Sequence, residues 1–190
     1  MTTLPGLEQW NPAQLTPSEI FWRDHYHFLK DRGYTLRMRY DPDWIPSWIN
    51  ASKEWLDCED AIHIPVRNVH DYREVPFPDF PFVEQNYQVL DASRPDGSLV
   101  VLKRVDIRYR NEIRILNHLS SEPFASNPRN HCVPVLEVIN PPEGSHTAFV
   151  VMPYLFKVDF PPFETIGEAI GFFKQVIEVV AVLFISVRHI

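Results

Sequence analysis

The sequence predicts an α+β fold: a small antiparallel sheet with one helix packed on it, preceded by a helix-bearing extension and followed by a long apolar helix. Three observations predict it. A Pro-Asp-Gly turn joins two β-rich runs, two more β-rich runs follow a helix-periodic segment, and two Thr-x-x-Glu boxes mark helix starts.

The sheet is read first from its hairpin. Tyr87-Gln-Val-Leu-Asp-Ala-Ser93 reads as a strand, Pro95-Asp-Gly-Ser98 as a turn, and Leu99-Val-Val-Leu-Lys-Arg-Val105 as the partner strand. Proline presets φ for such a turn and glycine tolerates φ > 0, so the turn has a mechanism behind it. Arg108 to Leu119 carries Ile115, Leu116 and Leu119 at helical spacing, with Glu112 one turn earlier. Val133 to Ile139 and Thr147 to Met152 then read as two more strands. Thr165 and Glu168 open the last helix, with Ile166, Ile170, Phe173, Ile177, Val180 and Phe184 on one face. Phe172, Val176, Val179 and Leu183 make the neighbouring face apolar too, so this helix is expected to be buried.

Ahead of the sheet, a helix is expected over residues 17–32. Thr16 can cap it, Pro17 suits its first position, Glu19 completes the capping box, and Gly33 can end it. Phe21, Phe28 and Leu29 form its apolar stripe, with Trp22 and His25 beside it. Pro42, Pro46, Pro65, Pro76, Pro78 and Pro81 then interrupt residues 41–86, which excludes long regular elements there. Trp44, Trp48 and Trp55 mark this stretch as a wrapping segment of extended chain and short turns.

Composition narrows the function classes. A formal net charge of −7 without any dense Lys/Arg run excludes nucleic acid as the partner. Cys58 and Cys132 form no Cys-x-x-Cys pair and no disulfide framework, which points to a reduced, intracellular and cytoplasmic protein. Met1 to Trp10 has neither the basic flank nor the apolar core of a secretory signal. Val176 to Val187 contains Glu178 and is shorter than the roughly 20 residues of a membrane span, so no membrane is expected. His25, His27, His63 and His70 lie near Asp24, Asp57, Glu59 and Asp60 in sequence. Two residues apart on a helix, His25 and His27 face different directions, and no metal site is expected. Cys132 lacks the partners of a nucleophile.

The chemistry rests on Lys103 and Glu112. A lysine on a strand neutralises nucleotide phosphates, and a carboxylate on the following helix holds that lysine in place. Val100-Val-Leu-Lys103 supplies the first and Glu112 the second. Around them the order is strand, strand with lysine, helix with glutamate, strand, strand, connector, apolar helix.

Longer strings carry a resemblance. They are Leu15-Thr-Pro-Ser-Glu-Ile-Phe-Trp-Arg-Asp-His25, Gly33-Tyr34, Trp44-Ile-Pro-Ser-Trp48, Asp57-Cys-Glu-Asp60, and Asp96-Gly97 through Leu102-Lys103-Arg104. Further along stand Asn130-His-Cys-Val-Pro134, Val151-Met-Pro153 and Phe163-Glu-Thr-Ile-Gly-Glu-Ala169 leading into Phe172-Phe173. Over nearly all of residues 15–180 the chain resembles the protein-kinase-like family of mushroom-forming fungi. The resemblance implies a protein-kinase-like small lobe over 87–160, an N-terminal extension over 1–86, and the first large-lobe helix within 161–190, where the lobe stops short. It implies ATP and Mg²⁺ as cofactors, with Lys103 as the phosphate lysine and Glu112 as its partner. Met152 becomes the gatekeeper, Pro153, Tyr154 and Leu155 the hinge against adenine, and Val89 and Val101 the sheet-side lining.

Two departures shape the functional expectation. The six glycines form no Gly-x-Gly-x-x-Gly, and the segment expected over the phosphates, Pro76 to Asn86, is rich in Pro and Phe instead. Without glycine, backbone approaches phosphate poorly. The 190 residues also contain no His-Arg-Asp and no Asp-Phe-Gly, so no catalytic residue is expected in this polypeptide. Intact relatives imply ATP-dependent protein phosphorylation; this chain is expected to be catalytically inactive. The alternative is a non-catalytic, pseudokinase-type binding or scaffold module, with a nucleotide and a protein partner as its ligands.

Overall fold

The computed structural model describes residues 11, 13–51, 58, 60, 88–109, 111–141, 144–155 and 163–187. The chain divides into two compact units, Met1–Ser98 and Leu99–Ile190. The fold is α+β.

In the first unit, α1 spans Pro17–Asp24 and α2 spans Tyr26–Lys30. Thr16 caps α1 as its spacing predicts: its hydroxyl accepts from the Glu19 amide at 3.3 Å, and Glu19 accepts from the Thr16 amide at 2.8 Å. The single helix expected over 17–32 is interrupted at His25, whose backbone turns to φ −102° and ψ 4°. The His25 Nδ1 donates to the Phe21 carbonyl at 2.8 Å, drawing the ring back onto the preceding turn. The buried stripe also differs from the expected one. Glu19, Trp22, Tyr26 and Leu29 face inward, at the helical spacing of three and four residues, while Phe21 and Phe28 are half-buried. Gly33, with φ +84°, ends this segment in the left-handed region.

Tyr34, Leu36 and Tyr40 continue the same core. Two short 3₁₀ turns follow, Met38–Tyr40 just ahead of the Pro-interrupted stretch and Ser47–Ile49 within it. Asp60 ties that stretch together by accepting from the Trp44 indole at 2.9 Å, the Ser47 amide at 2.9 Å and the Ser47 hydroxyl at 2.6 Å. The unit closes on β1, Val89–Ser93, through an isolated bridge between Thr35 and Ser93. Arg37 adds an ion pair to Asp91, its Nε lying 3.0 and 2.9 Å from the two carboxylate oxygens.

The most buried polar pair of the described residues also belongs here. Arg39 Nε donates to Glu19 Oε1 at 2.6 Å, with both side chains at most 3% exposed. The guanidinium also donates to the carbonyls of Gln14 at 3.2 Å and Asp60 at 3.5 Å, and it lies over the Trp44 ring. Glu19 therefore serves two partners, one oxygen capping α1 and the other neutralising Arg39.

The second unit contains β2 (Leu99–Asp106), α3 (Asn111–Leu119), β3 (Glu137–Ile139), β4 (Thr147–Pro153) and α4 (Ile166–Val187). The four strands form one sheet in the order β1-β2-β4-β3, and β4 runs antiparallel to both neighbours. The turn before β2 forms as Pro-Asp-Gly predicts. Gly97 has φ +81°, its amide donates to the Arg94 carbonyl at 2.9 Å, and Asp96 accepts from the Ser98 amide and hydroxyl.

Alternation along β2 buries Val100 and Leu102 on one face. In β4 four successive residues, Ala148 to Val151, are buried, as befits a strand covered on both faces. The strand expected over 133–139 is shorter, covering only Glu137–Ile139. Pro134 offers no amide, and the Val135 amide donates to the Ser120 hydroxyl at 2.9 Å instead of to a strand.

The α4 helix starts on its predicted box, with Glu168 and Thr165 exchanging hydrogen bonds of 3.1 and 3.2 Å. Its expected burial is only half realised. Val182 is buried, whereas the face carrying Ile166, Ile170, Phe173, Ile177, Val180 and Phe184 is exposed. No helix among the described residues is long and apolar enough to cross a membrane.

Candidate functional site

Three strand residues and one helix residue converge in the second unit. The register pairs Val101 with Met152 and Lys103 with Val150, so Val101, Lys103 and Met152 share one face of the sheet. The Lys103 ammonium makes an ion pair with Glu112 Oε1, in the first turn of α3. This is the strand-to-helix contact expected from the order of elements. The first turn of a helix favours a carboxylate, which helps place Glu112 there.

Stability does not explain the pair. The two side chains are 30% and 41% exposed, and an ion pair so open to solvent contributes roughly 0–1 kcal/mol. Its consequence is positional: a cation is held against the sheet while still reached by solvent.

The connection between the two residues is built by Asp106 and Arg108, whose role the sequence reading did not identify. Asp106 accepts from the Arg108 amide at 2.9 Å and from its guanidinium at 3.0 and 2.5 Å. The Asp-x-Arg spacing directly before a helix was the available signal. The Arg108 side chain, followed by its amide, lowers the Asp106 pKa from 3.8 to about 2. A depressed carboxylate contributes stability above its unfolded pKa and loses it as pH falls through the folded one. The contact is therefore complete above about pH 4 and lost as pH falls through about 2. Carboxyl-carbon NMR of Asp106 is expected to show a midpoint near 2, moving up toward 3.8 in Arg108→Ala. A midpoint insensitive to that substitution would remove Arg108 as the cause.

The remaining expected residues distribute as follows. Pro153 closes β4, Tyr154 follows it half-buried, and Leu155 is exposed. Val89 opens β1 in the first unit, with its side chain exposed. Pro76 to Asn86, the segment expected over the phosphates, lies outside the described residues. Cys132 is half-buried, and burial raises its thiol pKa, which weakens it as a nucleophile.

The same arrangement can be tested against ATP and Mg²⁺. A partly exposed ammonium, steadied by a carboxylate, fits a phosphate oxygen. Mg²⁺ is different: among the described residues no group of three or more His, Cys, Asp or Glu could hold a metal ion. An open hollow of about 340 Å³ lies elsewhere, over Ile170, Phe173, Lys174, Ile177 and Glu178 of α4, and none of the expected nucleotide residues lines it. No family model, no curated protein and no solved structure matches the chain.

Proposed function

We propose that the chain is a protein-kinase-like module that engages nucleotide phosphate through Lys103, oriented by Glu112, without transferring the phosphoryl group. The observation that carries this reading is the Lys103–Glu112 ion pair joining β2 to α3. Supporting it are Val101 and Met152, apolar residues beside Lys103 on the same sheet face, suited to lie against a base. Pro153, Tyr154 and Leu155 are assigned to the adenine-facing hinge, and Val89 to the lining.

Catalysis is a separate demand. Phosphoryl transfer needs a residue that orients the attacking hydroxyl and a carboxylate that holds metal at the phosphates. Neither motif occurs in the 190 residues. Asp106 is a poor substitute for the base, because Arg108 holds its pKa near 2 and a general base works best near the ambient pH. Asp91 is occupied by Arg37. A phosphate contact in the ground state alone does not lower the barrier.

One purified sample tests both halves. Fluorescent ATP analogue is expected to bind weakly to the chain. Lys103→Ala should lose roughly ten- to a hundredfold in affinity, as removal of a charge-assisted contact of about 1.5–3 kcal/mol requires. Radiolabel transfer to protein substrate should stay at background for both proteins. Equal nucleotide affinity in the wild type and Lys103→Ala would refute the phosphate role. Transfer that disappears in Lys103→Ala would refute the non-catalytic assignment.

A further inference from the structure

The exposed face of α4 has a spacing that a monomer does not need. Ile166, Ile170, Phe173, Ile177, Val180 and Phe184 follow one another at intervals of four, three, four, three and four. That is a repeat of 3.5 residues, the seam by which one α-helix packs along another. Each of the six is between 45% and 81% exposed, so none of the described residues covers the seam. Val182, which the fold does bury, lies away from it.

From these observations we infer that α4 is a self-association helix, whose seam pairs with the same seam of a second copy of this chain. Three features favour a second copy over other occupants. A regular heptad-type seam is complementary to a copy of itself, which is what an isologous contact between identical helices uses. Six large apolar residues at these exposures present on the order of 800 Å², the area one partner contributes to a standard specific interface. Between Ile170 and Phe184 the only charged residues are Lys174 and Glu178, which lie 4.0 Å apart on their own helix. A lipid surface would instead favour a polar face rich in lysine and arginine. The hollow over Ile170, Phe173 and Ile177 is where side chains of the second helix would insert. This inference does not depend on nucleotide binding, and its test reads association alone.

The experiment is sedimentation velocity of the full 190-residue chain from about 1 to 100 µM, a range that resolves micromolar dimer constants. The wild type is expected to shift from monomer to dimer across it. Phe173→Glu and Ile177→Lys are expected to remain monomeric throughout, and Gln175→Glu, exposed on the same helix but off the seam, to dimerise like the wild type. Because the seam lies outside the protomer's core, far-UV circular dichroism and the thermal midpoint of the seam variants at the lowest concentration should match the wild type. A wild type that stays monomeric, a dimer that survives Phe173→Glu, or open-ended association in place of a dimer would each overturn the inference. So would a chain that is monomeric in solution and sediments only with phosphatidylserine–phosphatidylcholine vesicles.

Discussion

Glu19→Gln is expected to destabilise the protein by about 3–5 kcal/mol, the cost of removing one partner of a buried ion pair. Arg39 is the charge in question: its guanidinium is 2% exposed and donates to Glu19 at 2.6 Å. Two further acceptors, the Gln14 and Asp60 carbonyls, are neutral and more distant at 3.2 and 3.5 Å. Glutamine is the informative replacement because it can still complete a capping box at this position. The loss then reports the ion pair and not the helix start. Glu19→Ala should add the cost of the lost cap, about 0.5–2 kcal/mol. Urea unfolding, read as the midpoint at constant slope, measures both. A Glu19→Gln loss below about 1 kcal/mol would mean that water or relaxation reaches Arg39 easily, and that the pair is far less buried than its geometry indicates.

Phe149→Ala should have a comparable effect through a different term. Phe149 is fully buried at the centre of β4, opposite Arg104 on β2 and Ile139 on β3. Removing a buried aromatic ring sacrifices its transfer free energy and leaves a cavity that the sheet cannot close, about 3–5 kcal/mol in total. Against a whole-domain stability of about 5–15 kcal/mol, that is enough to populate the unfolded state. Phe149→Leu keeps most of the volume and should lose much less. Equal losses for the two variants would argue that the ring is not tightly packed.

Local chemistry was legible in the sequence wherever a few adjacent residues decide the outcome. Pro95-Asp-Gly97 forms the turn it encodes, and Thr16 with Glu19, like Thr165 with Glu168, forms the box it encodes. Lys103 and Glu112 could be paired in advance because a strand, one short connection and a helix leave little freedom between them. Features set by distant partners were not legible. The second oxygen of Glu19 is claimed by a residue twenty positions on, beyond the reach of any helical spacing rule. The break at His25 depends on a ring nitrogen finding a carbonyl four residues back, an option open to many helical histidines that do not take it. Two apolar faces on α4 could not reveal which would acquire neighbours, because hydrophobicity states a preference for contact without naming the contact. The strand expected from Val133 fell short for a reason present in the sequence: Pro134 has no amide to give to a neighbouring strand, and this outweighs the preference of the surrounding valines.

The Arg37–Asp91 pair and the Thr35–Ser93 bridge join chain segments more than fifty residues apart, the first across a separation of 54. Contacts of that range raise the contact order of the first unit, and the entropy of closing the loop falls due before any of them can form. The order of events in folding should therefore be set within the unit by its nearest neighbours. The Trp22–Leu29 stripe can assemble locally within microseconds, whereas the Arg37–Asp91 clasp waits for a long diffusive search. Breaking the clasp with Asp91→Ala should therefore speed unfolding more than it slows folding, because a contact made late is absent from the transition state.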